Sequence, residues 1–322
     1  VNAERIAITG GTGFVGRHFA DLLRERGHEP VLICRRVPPE PPQGRVHALG
    51  LDDVDALVRA FTGCGAVAHL AGINRELGEQ TYQRVHVAGT RNVLEAARRA
   101  GVLRIALLSF LRARPDCGSA YHESKFAAEE LVRRSGLQYM VLKSGVIYGR
   151  GDHLLDHLSH ALYTLPLFAT VGASQPPLRP VAVRDVARVL FAALVEGRLA
   201  GRTVSVLGPE VLSMREVVTR MGDAIGRRPT VFPLPVAFHR LLARAAEATM
   251  KVPLVSVAQV RMLAEGLYEP APPCDDLPDD LKPAIRFTAE SIASGLPEPG
   301  RFGRADLRLG GWCGTLFPES RR

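Results

Sequence analysis

The sequence predicts an α/β fold, a doubly wound parallel sheet with a smaller C-terminal substrate lobe, on three observations. Short β-branched runs alternate with longer amphipathic stretches through the first half of the 322 residues, the strand-like runs are apolar on both faces, and the texture shifts toward proline and loops after Tyr148. Strands of that kind are buried above and below, which requires helices on both sides of a parallel sheet, and right-handed crossovers then wind the chain in both directions. In order, RIAIT (5–9) reads as a strand, FVGRHFADLLRERG (14–27) as a helix, PVLICR (30–35) as a strand, DVDALVRAF (53–61) as a helix and AVAHLAG (66–72) as a strand. TYQRVHVAGTRNVLEAARRAG (81–101) follows as one long helix, RIALLS (104–109) as a strand, SAYHESKFAAEELVRRSG (119–136) as a helix and YMVLKSG (139–145) as a strand.

Beyond Tyr148, HLLDHLSHALYTLPLF (153–168) looks helical, LRPVAVRDVARVLFAALVEG (178–197) returns as strand plus helix, and TVSVLG (203–208) as another strand. The sheet is therefore expected to use 1–148 and 178–207, with the smaller lobe built from 149–177 and 208–322. The proline- and acid-rich PAPPCDDLPDDLKP (270–283) is expected to be a loop ordered by packing on that lobe.

A content of 46% hydrophobic and 23% charged residues is that of a folded globular chain, and no apolar run approaches the length of a membrane-spanning helix. The N-terminus opens directly into a strand-like run, which reads as a cytoplasmic protein. Five cysteines, never in a CxxC pair, read as reduced thiols and not as a zinc site or a disulfide framework. The net charge of +8 is spread as arginine pairs along helices without aromatic interleaving, which argues against a nucleic-acid module.

TGGTGFVG (9–16) holds two overlapping glycine patterns, with Gly11, Gly13 and Gly16 in one register and Gly10, Gly13 and Gly16 in the other. Lying between a strand and a helix, such a loop lets a pyrophosphate approach the backbone, while the helix starting near Phe14 and Val15 offers unpaired N–H groups. Where an acidic side chain at the end of the second strand would hold a ribose 2′-hydroxyl, this chain has Cys34, Arg35 and Arg36. Arginine there pairs with a 2′-phosphate, which predicts NADP(H) over NAD(H), through Arg35 with Arg36 assisting.

Tyr121 and Lys125 form YxxxK on one helical face in a chain with only four lysines. An ammonium beside a phenol lowers its pKa and equips it to exchange a proton with a carbonyl or alcohol. Ser109, at a strand end, is the candidate to orient the same oxygen, with Ser119 as its rival.

With these residues the chain resembles the short-chain dehydrogenase/reductase superfamily over most of its length. HLAGI (69–73), VHVAGTRNVLEAARRAGV (85–102), LKSGVIYGRGD (142–152) and VAVRDVAR (181–188) match further family segments. It looks most like the extended and atypical branch of epimerases, dehydratases and NAD(P)H-binding proteins, in particular the group of the nucleotide-binding accessory subunit of respiratory complex I and its bacterial relatives. That group shares the serine-to-tyrosine spacing of 12, a segment seen here as GRGDHL and a helix seen here as FPLPVAFHRLLARA. The resemblance implies a loop carried by Gly10, Gly13 and Gly16, with Thr12 on a phosphate. It also implies nucleotide contacts from Leu70, Ala71 and Gly72, from Tyr121 and Lys125, and from Lys143, Ser144, Gly145 and Val146. His86 where relatives have asparagine, and HALGLDD where they place a Gly-Asp pair, depart from the sugar-nucleotide epimerases.

The cluster DHLLDHLSH (152–160) has helical spacing and reads as a polar helix face, with no metal. The stretch 235–266 is apolar with interspersed arginines; it is expected to pack over the substrate cleft, with a peripheral membrane or protein contact as the alternative. The chain thus reads as an NADP(H)-dependent oxidoreductase of a small apolar carbonyl or alcohol, monomeric or homodimeric. A non-catalytic NAD(P)H-binding assembly or sensor protein is the alternative, and a nucleotide-sugar epimerase or dehydratase the second.

Overall fold

The computed structural model describes residues 3–39, 44–172, 176–249 and 257–302. The chain opens with β1 (Arg5–Thr9), α1 (Phe14–Glu25), β2 (Glu29–Cys34), β3 (Arg45–Ala48), α2 (Val54–Phe61) and β4 (Ala66–His69). A π-helical segment (Gln83–Ala88) runs into α3 (Gly89–Arg99), followed by β5 (Arg104–Phe110), α4 (Ala120–Arg133) and β6 (Gln138–Ser144). Then come β7 (Ile147–Tyr148), α5 (His153–Thr164), β8 (Leu167–Val171), β9 (Val181–Ala182), α6 (Val183–Leu194) and β10 (Arg202–Ser205). The remainder holds α7 (Met214–Ala224), β11 (Thr230–Leu234), α8 (Val236–Thr249), α9 (Val257–Glu265), a 3₁₀ turn (Asp279–Leu281) and α10 (Ala289–Ala293).

The central sheet has seven parallel strands in the order β10-β6-β5-β4-β1-β2-β3. Its centre is apolar on both faces for the reason the sequence suggested. Ile6 and Ile8 of β1 join a core with Phe19 and Leu23 of α1 and Val186 and Leu190 of α6. Ala7 points the other way, into a second core with Leu57 and Phe61 of α2 and Val93 and Ala97 of α3. Helix α1 is amphipathic at the spacing this demands, burying Val15, Phe19, Ala20 and Leu23. The strand order reverses between β1 and β4, and in such sheets the crevice beyond that switch point is where ligands bind.

Several elements differ from the sequence reading. The helix expected over 81–101 begins with a π-helical turn, whose i→i+5 bonding widens the helix and is a local irregularity often found at functional sites. Residues 167–171 form a strand and not a helix end, because Pro166 stops α5 and the apolar run after it pairs with β11. Loop 270–283 docks on the main sheet: Asp275 N–H donates to Thr203 O at 2.8 Å, extending the β10 edge, while Leu277 and Leu281 enter the core under α6. Asp185 of VAVRDVAR is buried and accepts the backbone N–H groups of Ala284 and Ile285 at 3.1 and 3.0 Å, fastening the C-terminal segment over the fold. Among the described residues no helix is long and apolar enough to cross a membrane.

Candidate active site

The glycine turn has no room for side chains. Gly10 has a φ of +70°, and a Cβ on it would lie 2.9 Å from the Ala71 nitrogen, while one on Gly16 would run into the Gly10 carbonyl. Gly13 donates to Gly10 O at 2.9 Å and caps α1 with no side chain over the helix end. Gly10, Gly13 and Gly16 therefore shape the turn. Gly11 is small because a Cβ there would sit 2.9 Å from Leu32 Cβ of β2. The first turn of α1 carries no acidic residue and no side-chain cap, so its N–H groups face an open cradle that fits a pyrophosphate.

Around the cradle, the Thr12 hydroxyl meets the Cys34 thiol, whose pKa is raised by burial, at the end of β2. Val15 is buried beneath the turn, and the Phe14 ring packs edge-on against His18. Arg35 and Arg36 are exposed at the end of β2, with the Arg35 guanidinium donating to Gln80 Oε1 at 2.8 Å. Leu70 and Ala71 close the β4 side, their N–H groups reaching Thr9 O at 3.1 Å and Thr9 Oγ1 at 3.4 Å. Asp53 of HALGLDD caps α2, accepting from Ala56 N–H at 2.9 Å.

Across the crevice, α4 brings Tyr121 and Lys125 onto one face, 7% and 8% exposed. Lys125 Nζ donates to Leu108 O at 3.4 Å, and a Cβ on Gly72 would lie 3.0 Å from it. The Tyr121 hydroxyl donates to Asn74 Oδ1 at 3.5 Å, and the ring is enclosed edge-on by Tyr82, His86 and Phe110. Burial lowers the Lys125 pKa to about 8, against a smaller opposing effect of Glu129. Burial, with the nearby Tyr82, raises that of the Tyr121 phenol. The lowering of the phenol by the lysine that the sequence suggested is not found: burial and Tyr82 both push the phenol up, toward its protonated form. Asn74 and Tyr82, which no motif singled out, complete this wall; aromatic spacing inside TYQRVHV was the available signal.

Two buried histidines lock the crevice together. Ser124 Oγ donates to Tyr121 O, so it accepts from His86 Nδ1–H at 2.9 Å, and His86 Nε2 accepts the Ile73 N–H at 3.1 Å. Thr90 Oγ1 donates to His86 O, so it accepts from His69 Nε2–H at 3.0 Å, which leaves His69 Nδ1 to accept from Thr9 Oγ1 at 2.7 Å. Both imidazoles are neutral, with opposite tautomers set by their partners. Burial and the charge of Lys125 hold His69 down to about 3, and the same two causes with His69 hold His86 down to about 2.

Ser109 is not brought to the phenol. Strand alternation turns its hydroxyl to the α4 face, where it donates to the fully buried Glu129 Oε1 at 2.5 Å, and Phe110 faces Tyr121 instead. Lys143 is also fully buried, 3.5 Å from Glu129 and donating to Ala113 O at 2.8 Å. Arg133 completes the pairing of Glu129 at 2.8 Å. Ser144 donates to Val206 O at 2.9 Å, Gly145 abuts Leu267, and Val146 O accepts from Val181 N–H. The side chains of Lys143 and Ser144 are thus engaged within the fold. Ser119 Oγ lies 2.7 Å from His122 Nδ1, whose Nε2 faces Glu265. In the helix of DHLLDHLSH, Asp152 is the N-cap of α5, and His160 Nδ1 lies 2.7 Å from Asp156 O. Among the described residues no group of three His, Cys, Asp or Glu is placed to hold a metal.

Removing Glu129 with Glu129→Ala takes the carboxylate from the fully buried Lys143, while Arg133 keeps Glu130, and is expected to lower unfolding stability by about 3–5 kcal/mol in urea titrations. The histidines predict acid sensitivity. The unfolded chain takes up protons at about 6.5 while folded His69, His86 and His122 stay neutral to about 3, 2 and 4, so each removes up to ~1.4 kcal/mol per pH unit as pH falls below 6.5. Asp152, raised to about 6 by burial, acts in the opposite direction between that value and 3.8 and offsets one of the three. Urea midpoints measured from pH 7 to 4.5 should therefore decline, and the decline should lessen in His86→Gln.

The model of the NAD dependent epimerase/dehydratase family matches residues 6–206, which hold both the glycine turn and the tyrosine–lysine pair. A ceramide reductase of Caulobacter vibrioides is 31% identical over 244 residues, covering 71% of this chain and 73% of that protein. The mitochondrial NADH dehydrogenase [ubiquinone] 1 alpha subcomplex subunit 9 of Arabidopsis thaliana is 26% identical over 248 residues, covering 73% of this chain and 61% of that protein. Among solved structures, MoeE5 in complex with UDP-glucuronic acid and NAD shares the fold at a TM-score of 0.68 and 22% identity, over 90% of this chain and 97% of that one. The glycine turn, the parallel sheet and the family match agree: this chain belongs to the NAD dependent epimerase/dehydratase family.

Proposed function

We propose that the protein is an NADP(H)-dependent reductase of an apolar carbonyl compound, with Tyr121 as the proton donor. The observation that carries this reading is the placement of Tyr121 and Lys125 on one face of α4, buried across the crevice from an uncapped glycine turn. The turn at Gly10, Thr12, Gly13 and Gly16 would hold the pyrophosphate, Arg35 and Arg36 the 2′-phosphate, and Lys125 beside Gly72 the nicotinamide ribose. When bound, the nicotinamide supplies a hydride to the carbonyl carbon. Tyr121 Oη, kept protonated by burial, delivers its proton to the carbonyl oxygen as charge develops there. A protonated phenol is the form that reduction needs, so the site favours reduction over alcohol oxidation. The charge of Lys125, present below about pH 8, stabilises the phenolate left behind.

An apolar substrate is in keeping with the rings of Tyr82, His86 and Phe110 packed around the phenol, whose polar partner is Asn74. The likeness to a ceramide reductase supports a reductase of that kind.

Two observations favour the non-catalytic alternative: Ser109 is turned to Glu129, and aromatic rings enclose the phenol. Turnover decides between them. With NADPH and apolar ketones, Tyr121→Phe should lower kcat by about 10²–10⁴-fold and leave nucleotide binding intact. A wild-type protein that binds NADPH and oxidises none of it across such a panel supports the alternative. Arg35→Ser should weaken NADPH binding on the order of 10- to 100-fold and leave NADH within a few-fold, read by fluorescence titration. Equal losses for both nucleotides would contradict the 2′-phosphate assignment.

A further inference from the structure

Helix α8 is amphipathic in the wrong direction for a helix that packs only on its own lobe. Its fully buried side chains are His239 and Ala243, with the His239 ring against Ala169 O of β8 at 3.3 Å. The opposite stripe, at i, i+3, i+4 and i+7, is Phe238, Leu241, Leu242 and Ala245, and the first three are 44%, 65% and 45% exposed. Arg240 and Arg244, one turn apart and exposed, border that stripe. Leu165, Leu167 and Phe232 of the same lobe add three more large apolar side chains exposed to solvent. An apolar stripe with arginines along its edge, in a chain of net charge +8, has the chemistry of a helix lying in the plane of an anionic lipid surface.

The C-terminal turns of α8 are tied to α9. Glu247, in its last turns, accepts from Val257 N–H of α9 at 3.0 Å and lies within electrostatic reach of the Tyr82 hydroxyl. Tyr82 in turn packs edge-on against Tyr121 at 5.5 Å.

We propose that α8 is an interfacial helix that seats the protein on an anionic bilayer through Phe238, Leu241, Leu242, Arg240 and Arg244. The attachment itself does not rest on the proposed reduction, and its test involves no turnover.

The test is flotation of the full chain with vesicles of phosphatidylcholine and phosphatidylglycerol in equal parts, and with vesicles of phosphatidylcholine alone. The wild type should float with the anionic vesicles, less so at high salt. Arg240→Gln with Arg244→Gln should weaken that binding by ~30-fold, and Leu241→Asp with Leu242→Asp should abolish it. All these positions are exposed, so each variant should keep the wild-type unfolding midpoint and nucleotide affinity. Flotation that is absent in the wild type, or unchanged in both variants, overturns the proposal. So does a wild-type dimer in sedimentation that Leu241→Asp with Leu242→Asp splits, which would make the stripe a contact between two copies.

Discussion

The structure turns on a backbone approach too close for any side chain. The end of β1, the start of α1 and the Leu70–Ala71 backbone after β4 converge where a Cβ on Gly10 or Gly16 has no space. This fixes α1 with its N-terminus at the point where the strand order reverses, and it leaves peptide N–H groups, not side chains, facing the crevice. The packing of Phe19 and Leu23 against α6 holds the helix at that angle. A ligand with a diphosphate gains from such a turn because the donors are already in place and lose no freedom on binding.

The second constraint is the chain from Thr9 through His69, Thr90, His86 and Ser124 to the Tyr121 carbonyl. It runs from the glycine strand to α4, and every donor in it has an acceptor, so β1, β4 and α4 are tied to one another through buried side chains. The two buried lysines nearby differ for a physical reason. Lys143 has Glu129 and backbone carbonyls around it and acts as part of the scaffold. Lys125 has Gly72 and a single long bond to Leu108 O, and burial brings its pKa to about 8, within reach of neutral solution. Lys143 sits against a carboxylate; Lys125, among the described residues, is bonded to a backbone carbonyl alone.

The fold was legible where periodicity is strong. The β1–α1–β2 unit, β4 to β6 and α6 follow from runs of apolar residues with periods of two or 3.6. Short edge elements were not: β3 is four half-exposed residues, and β8 and β11 form a small separate pair behind Pro166. Helix α7 carried a readable start, since Ser213 and Glu216 form a capping box, but it lies in the stretch where prolines and glycines suggested loops. At the site, glycine spacing and YxxxK located both walls. The direction of Ser109 was not legible, because a strand-end residue can face either side and only the pairing of β5 with β6 settles which. The histidine chain was likewise invisible, since its links between elements join partners 21, 38 and 60 positions apart.

The claim on which the functional account depends is that the turn at residues 9–16 grips a pyridine dinucleotide with its reactive ring toward Tyr121. Calorimetric titration of the wild-type protein with NADPH, repeated on Gly16→Val, tests it most directly. The account predicts saturable one-to-one binding to the wild type and none to the variant under conditions where both are folded. Absence of saturation with NADPH or NADH at millimolar concentration, or equal binding by the variant, would contradict it.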